Sequence, residues 1–170
     1  AERAGAQVYR GSEDDVLGRM YEAAREEGAD VVVRVTADCP LVSPEVIDHM
    51  VDEILDKKLD RVFGTSEFPL GMAVEAFTFE TFQEVDKLSN ESYEREHVTP
   101  YYRENPDGFK MAEISPSDVF SENWLSGREE FRLTLDEVDD YELFRRVYEK
   151  VSYENIIDTK NAVEYIDKNE

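Results

Sequence analysis

The sequence predicts an α/β fold with a parallel sheet, on three observations. Asp30-Val31-Val32-Val33-Arg34-Val35 is a short run rich in β-branched residues, the pattern of a central strand buried on both faces. Apolar residues recur at helical spacing on either side of it, over 16–24 and 46–55. A strand-like segment at 7–9 precedes the first of these helices. Strand, helix, strand makes a βαβ unit with a right-handed crossover. The 170 residues contain no repeat, low-complexity block or linker, so 1–170 reads as a single domain with a real core.

The elements follow in order. Residues 1–6 read as a helix end stopped by Gly5, and Gln7-Val8-Tyr9 as a short strand. Ser12 is placed to cap a helix carrying Val16, Leu17, Met20, Tyr21 and Ala24, which Gly28 ends. The 30–35 strand stops before Thr36-Ala37-Asp38, because Pro40 cannot donate to a ladder. Ser43 caps the next helix, with Pro44 at its first position and Val46, Ile47, Met50, Val51, Ile54 and Leu55 as the buried stripe. His49 borders that stripe with no second histidine one turn away, which marks it as structural. A strand at 61–65, a turn at 68–71 and an extended segment at 72–79 come next. Thr81 is expected to cap a helix with Phe82, Val85 and Leu88, and a further helix spans 93–103. Strands are expected at 109–114 and 131–135, separated by an irregular stretch anchored by Trp124. Helices from Asp139-Asp140, buried through Leu143, Phe144, Val147 and Val151, and over 159–167 close the chain.

Charge narrows the function. Forty-one acidic residues against 19 basic ones give −22, which excludes the basic footprint of a general nucleic-acid binder and repels anionic membranes. No apolar run approaches the ~20 residues of a membrane-spanning helix. A single cysteine, Cys39, excludes an internal disulfide framework and fits a reducing, cytoplasmic setting. It reads as a small buried residue rather than a nucleophile. An anionic substrate needs a metal or a local arginine to overcome this field.

Two aspartates, Asp38 and Asp136, each stand just past an expected strand. Ligands of open α/β sheets bind at that rim, and Mg²⁺ takes one or two carboxylates plus water and phosphate oxygens. Capping of the following turn is the other reading of such a position.

Four stretches then occur in order: Arg10-Gly11-Ser12-Glu13-Asp14-Asp15-Val16-Leu17-Gly18-Arg19, Val33-Arg34-Val35-Thr36-Ala37-Asp38-Cys39-Pro40-Leu41, Glu96-His97-Val98-Thr99-Pro100-Tyr101 and Arg132-Leu133-Thr134-Leu135-Asp136. Together, across nearly the whole chain, they resemble the cytidylyltransferases of the spore-coat polysaccharide and acylneuraminate type. The resemblance implies a nucleotide-diphospho-sugar transferase fold, Rossmann-like with a mixed sheet and flanking helices. It implies transfer of CMP from CTP to an acidic sugar for surface polysaccharide, with Mg²⁺ and release of pyrophosphate. Asp38 and Asp136 are then the catalytic metal carboxylates. Arg10, Gly11, Ser12 and Arg19 lie beside the nucleotide or sugar, and Gly71, Glu75 and His97 line the sugar side. Local pairing of Arg10 and Arg19 with acids, a hydrogen bond of His97 on its own helix, and a solvated Glu75 are the structural alternatives. Relatives of this type are dimers, which makes 71–102 the expected homodimer interface.

The chain departs from the family in two places. Ala73 stands where the family has an acidic residue. The glycine- and arginine-rich nucleotide loop that opens the family is absent, so the chain reads as an N-terminally truncated, carboxyl-terminal portion with impaired activity. A non-catalytic module for assembly or glycan-precursor binding, and a glycosyltransferase using a nucleotide sugar on the same fold, are the alternative functions.

Overall fold

The structure, a computed structural model, describes residues 5–169. The expected helix end at 1–6 falls mostly outside them. The order is α1 (Val16–Glu27), β1 (Val31–Arg34), α2 (Pro44–Lys57), β2 (Arg61–Gly64), β3 (Glu75–Thr78), α3 (Phe79–Leu88), α4 (Ser92–His97), α5 (Pro100–Glu104), a 3-10 turn (Pro106–Gly108), β4 (Met111–Ile114), α6 (Pro116–Val119), α7 (Val138–Lys150) and α8 (Thr159–Asn169). The four strands form one mixed sheet in the order β1-β3-β2-β4. β3 runs antiparallel to both its neighbours, while β2 and β4 are parallel. This is the mixed sheet with flanking helices that the family resemblance implies, in place of a parallel one.

Each sheet face carries its own core, because side chains alternate along a strand. Val62 of β2 and Ala76 of β3 face one way, onto Val46, Met50 and Ile54 of α2 and onto α7 and α8 through Phe144, Val147, Ala162, Val163 and Ile166. Val32 of β1 and Phe77 of β3 face the other way, onto Leu17 of α1, Phe82 and Val85 of α3, and Val98 and Tyr102. Burying side chains such as Leu17 and Phe82 contributes about 1.5–3 kcal/mol each. The caps of α2 are those the sequence encodes: Ser43 accepts from the Val46 amide and Pro44 occupies the first turn.

Several expectations are corrected. Residues 7–9 form no strand, so no βαβ unit opens the chain. β1 lies at one edge of the four strands instead of the centre; only Val32 is buried in it, and Val35, beyond its end, is 47% exposed. β-branched character signals a strand but does not say how many neighbours it has. Asp15, not Ser12, caps α1, accepting from the Gly18 amide at 2.9 Å. Thr78, not Thr81, caps α3. The expected 93–103 helix is split at Val98, and Leu125 is buried more deeply than Trp124. Residues 131–135 make a single parallel bridge, Leu70 with Arg132, and no strand of the sheet.

One ion-pair knot ties three helices together. Arg95 of α4 donates to both carboxylate oxygens of Asp15 at 2.8 Å and to Asp86 of α3 at 2.8 Å. The Asp15 carboxyl is held below its ordinary value of 3.8, first by the Arg95 hydrogen bond, against the opposing effect of burial. A depressed carboxyl stabilises above its unfolded pKa, and that stability is lost as pH falls through the folded one. Asp15→Asn keeps the cap and loses the charge. It is expected to lower the melting temperature at pH 7, with the gap closing below pH 3.8. Solvent holds the cost to about 0.2–1 kcal/mol, since the side chain is 39% exposed. Thermal melts of both proteins at pH 7 and in acid check it; a gap that persists in acid contradicts the assignment.

Candidate functional site

The carboxyl ends of β1 and β2, with the amino end of β3 between them, open onto a cleft of about 610 Å³. This is the rim where α/β sheets bind ligands. Arg34, Thr36 and Cys39 line it from the β1 side, Phe63, Gly64 and Thr65 from β2, and Gly71 and Glu75 from the segment entering β3. Glu129 and Glu130 add to its wall.

Asp38 sits in the turn leaving β1, half-buried. The turn is closed by the Cys39 amide on the Thr36 carbonyl, 3.2 Å, and by a 3.1 Å contact of the Thr36 hydroxyl with the Cys39 thiol. The Asp38 carboxyl is lowered, first by a hydrogen bond from the Thr36 hydroxyl, with smaller help from its own amide, Cys39 and the charge of Arg34; burial works against this. A carboxylate held ionised suits a cation ligand. Burial pushes the Cys39 thiol up, so it is no activated nucleophile.

Asp136 arrives on an irregular segment. The Leu135 amide donates to the Asp38 carbonyl at 2.7 Å, which sets the two aspartate-bearing turns side by side. Oδ2 of Asp136 accepts from the Thr134 hydroxyl at 2.7 Å and from Arg132 at 3.3 Å. Arg132 is shared with Asp140, whose carboxylate also accepts from the Asp136 and Glu137 amides and so fixes the start of α7. Asp136 remains exposed. Among the described residues no group of three or more His, Cys, Asp or Glu could hold a metal. Two hard carboxylates nonetheless match a Mg²⁺ that fills its other positions from water and substrate.

Glu75 is not a solvated strand residue: Arg61 donates to its Oε2 from Nε at 3.0 Å and from Nη2 at 2.6 Å. Gly71 takes φ +89° and lies against the Leu133 backbone. The remaining expected site residues lie elsewhere. Gly11, Ser12 and Arg19 line a separate cleft of about 270 Å³ at the start of α1, with Asp15 and Arg95. There Arg19 donates to the Ser12 carbonyl at 2.6 Å, while Arg10 is exposed. His97 is exposed at the end of α4. Its carbonyl accepts from the Thr99 amide at 2.8 Å across Val98, whose φ of +72° is strained for a β-branched residue. Sequence reasoning missed Arg34 and Arg61. Their signal was a lone cation inside or at the head of an apolar strand.

Residues 1–169 match a family model described as cytidylyltransferase. An uncharacterized protein of Methanocaldococcus jannaschii is 39% identical over 165 residues, covering 97% of this chain and 65% of that protein. The spore coat polysaccharide biosynthesis protein SpsF of Bacillus subtilis is 26% identical over 166 residues, covering 97% and 66%. A solved cytidylyltransferase structure from Leptospira borgpetersenii superposes with a TM-score of 0.84 at 31% identity, covering 99% of this chain and 68% of that one. The chain thus spans about two thirds of the length of the proteins it matches. Among the described residues no helix is long and apolar enough to cross a membrane.

Proposed function

The chain belongs to the cytidylyltransferase family, and from that premise we propose that its cleft binds CTP and a sugar and serves transfer of CMP to a sugar oxygen for surface-polysaccharide synthesis. The observation that carries the reading is the 2.7 Å bond between the Leu135 amide and the Asp38 carbonyl, which sets the two aspartate-bearing turns side by side next to Thr36 and Cys39 of the cleft wall, although neither aspartate lines the cleft itself. Asp38 and Asp136 would hold Mg²⁺. When bound, that ion neutralises phosphate charge and orients the triphosphate. In the transfer, a sugar oxygen forms a bond to the α-phosphorus while the bond from that phosphorus to pyrophosphate breaks, and the proton of the sugar hydroxyl passes to solvent water. The chain's own contribution is positioning. The Thr36 hydroxyl keeps Asp38 ionised, and Thr134 and Arg132 orient Asp136. Arg61 claims one oxygen of Glu75 and leaves the other for a sugar hydroxyl at the cleft wall. Arg10, Gly11, Ser12, Arg19 and His97 line no part of this cleft and receive no step.

Titration of the 170-residue chain with CTP, with and without Mg²⁺, tests the proposal by calorimetry. Asp38→Asn and Asp136→Asn are each expected to weaken binding about tenfold or more, equivalent to about 1.4 kcal/mol. Circular dichroism should be unchanged, since neither side chain is buried. Binding that ignores Mg²⁺ and both substitutions would remove the nucleotide site. Pyrophosphate release measured beside turnover of a nucleotide sugar separates this reaction from glycosyl transfer.

A further inference from the structure

We propose that Arg34 is the anion-recognising residue of the cleft and holds the negatively charged group of the acceptor sugar. The inference rests on the reading of the cleft as a sugar nucleotidyltransferase site. Cations are scarce in this chain, 19 against 41 acids, and most arginines are consumed. Arg61, Arg95, Arg128, Arg132 and Arg145 all sit in ion pairs. The Arg34 side chain has neither a hydrogen bond nor an ion pair among the described residues, although the residue is half-buried and lines the cleft. Among the described residues it is also the only cation lining that cleft.

Its isolation has a structural cause. In the β1–β3 register Arg34 stands directly opposite Glu75, the natural partner. Glu75 is already taken from the other side, because Arg61 on β2 places two donors on its Oε2. The sheet therefore spends one arginine to keep another free. The charge of Arg34 reaches Asp38, but no acid is in ion-pair contact with it, and a half-buried guanidinium whose donors are unfilled is costly to maintain. Its planar fork matches a carboxylate or a phosphate with two parallel hydrogen bonds. In a molecule of charge −22 an anion enters a cleft only where a local cation offsets the field.

Position separates this role from the nucleotide's. Arg34 belongs to the strand and faces Glu75, whereas Asp38 lies four residues further along, beyond the strand end, beside Asp136. Triphosphate oxygens go to the aspartate end, and the charged group of the acceptor goes to Arg34.

Three probes differing in one group test this on the labelled 170-residue chain by NMR: glucuronate, glucose 1-phosphate and glucose. Glucuronate or glucose 1-phosphate, or both, should shift the Arg34 Nε–H signal saturably, and the one that does identifies the anion; glucose should not. Arg34→Gln should weaken the charged sugar about tenfold or more and CTP with Mg²⁺ by a smaller factor. Arg34→Lys should recover only part, for want of the fork. The proposal is overturned if neither charged sugar moves Arg34. Undiminished binding to Arg34→Gln also overturns it, as does a substitution that weakens CTP alone. Charged-sugar binding through Arg34 with no CTP binding leaves this inference standing and removes the nucleotidyltransfer reading; CTP binding without charged-sugar binding does the reverse.

Discussion

Arg61→Ala is expected to destabilise the protein by about 3–5 kcal/mol, the cost of breaking a buried ion pair from one side. The Arg61 side chain is 4% exposed and that of Glu75 24%. The guanidinium lies over the rings of Phe63 at 4.3 Å, Tyr102 at 5.4 Å and Phe77 at 5.9 Å, so its cation–π contacts go with the pair. Truncation leaves the Glu75 carboxylate with no counter-ion from β2. Urea unfolding should show a lower midpoint at unchanged slope. Arg61→Met combined with Glu75→Gln should recover most of the loss, because an apolar replacement of both partners removes the stranded charge. A cost under about 1 kcal/mol for Arg61→Ala, the range of a surface pair, would mean the pair is not buried. The same substitution has a functional arm. Glu75, released from Arg61, is free to turn to Arg34 across the ladder, so charged-sugar binding should fall as well.

That coupling could not be read from the residues in line, and the reason generalises to the fold. The caps of α2 are local, a serine and a proline at fixed offsets, and Ser43-Pro44 reads directly as the helix start. Gly28 ends α1 as expected, in the left-handed conformation. Neighbour relations are not local. Nothing in 72–79 says that β3 inserts antiparallel between β1 and β2, and that insertion is what turns a presumed central strand into an edge. Leu133 alternates with its neighbours like a strand residue, yet its amide meets the Leu70 carbonyl in a lone bridge region outside the sheet. Asp38 and Asp136 were legible as a candidate pair from their places just past expected strands, and the family resemblance added the role. The backbone bond that brings their turns together belongs to an irregular segment that periodicity does not describe. Arg34 and Arg61 stayed hidden because a charged residue in a strand looks like a solvated edge until its cross-strand partner is known.

Gly71→Ala is expected to damage the site and the fold together. Gly71 has φ +89°, a conformation that costs an alanine about 1–3 kcal/mol. A β-carbon there would also stand 2.8 Å from the Leu133 carbonyl oxygen and 2.9 Å from its carbon. Those are backbone atoms with no rotamer to give, so the 132–134 segment has to move. It is held by the Leu70 amide on the Phe131 carbonyl at 3.2 Å and the Leu133 amide on the Leu70 carbonyl at 2.7 Å. Displacement passes to Thr134, whose hydroxyl orients Asp136, and to Leu135, whose amide ties the segment to Asp38. Gly71→Ala should therefore lower both the melting temperature and the affinity for CTP with Mg²⁺, whereas Asp38→Asn lowers affinity alone. Measured side by side, the two variants separate the scaffold of the site from its chemistry. An alanine at 71 that leaves stability and nucleotide affinity intact would show that the two segments are not in backbone contact, and the geometry proposed for the carboxylate pair would go with it.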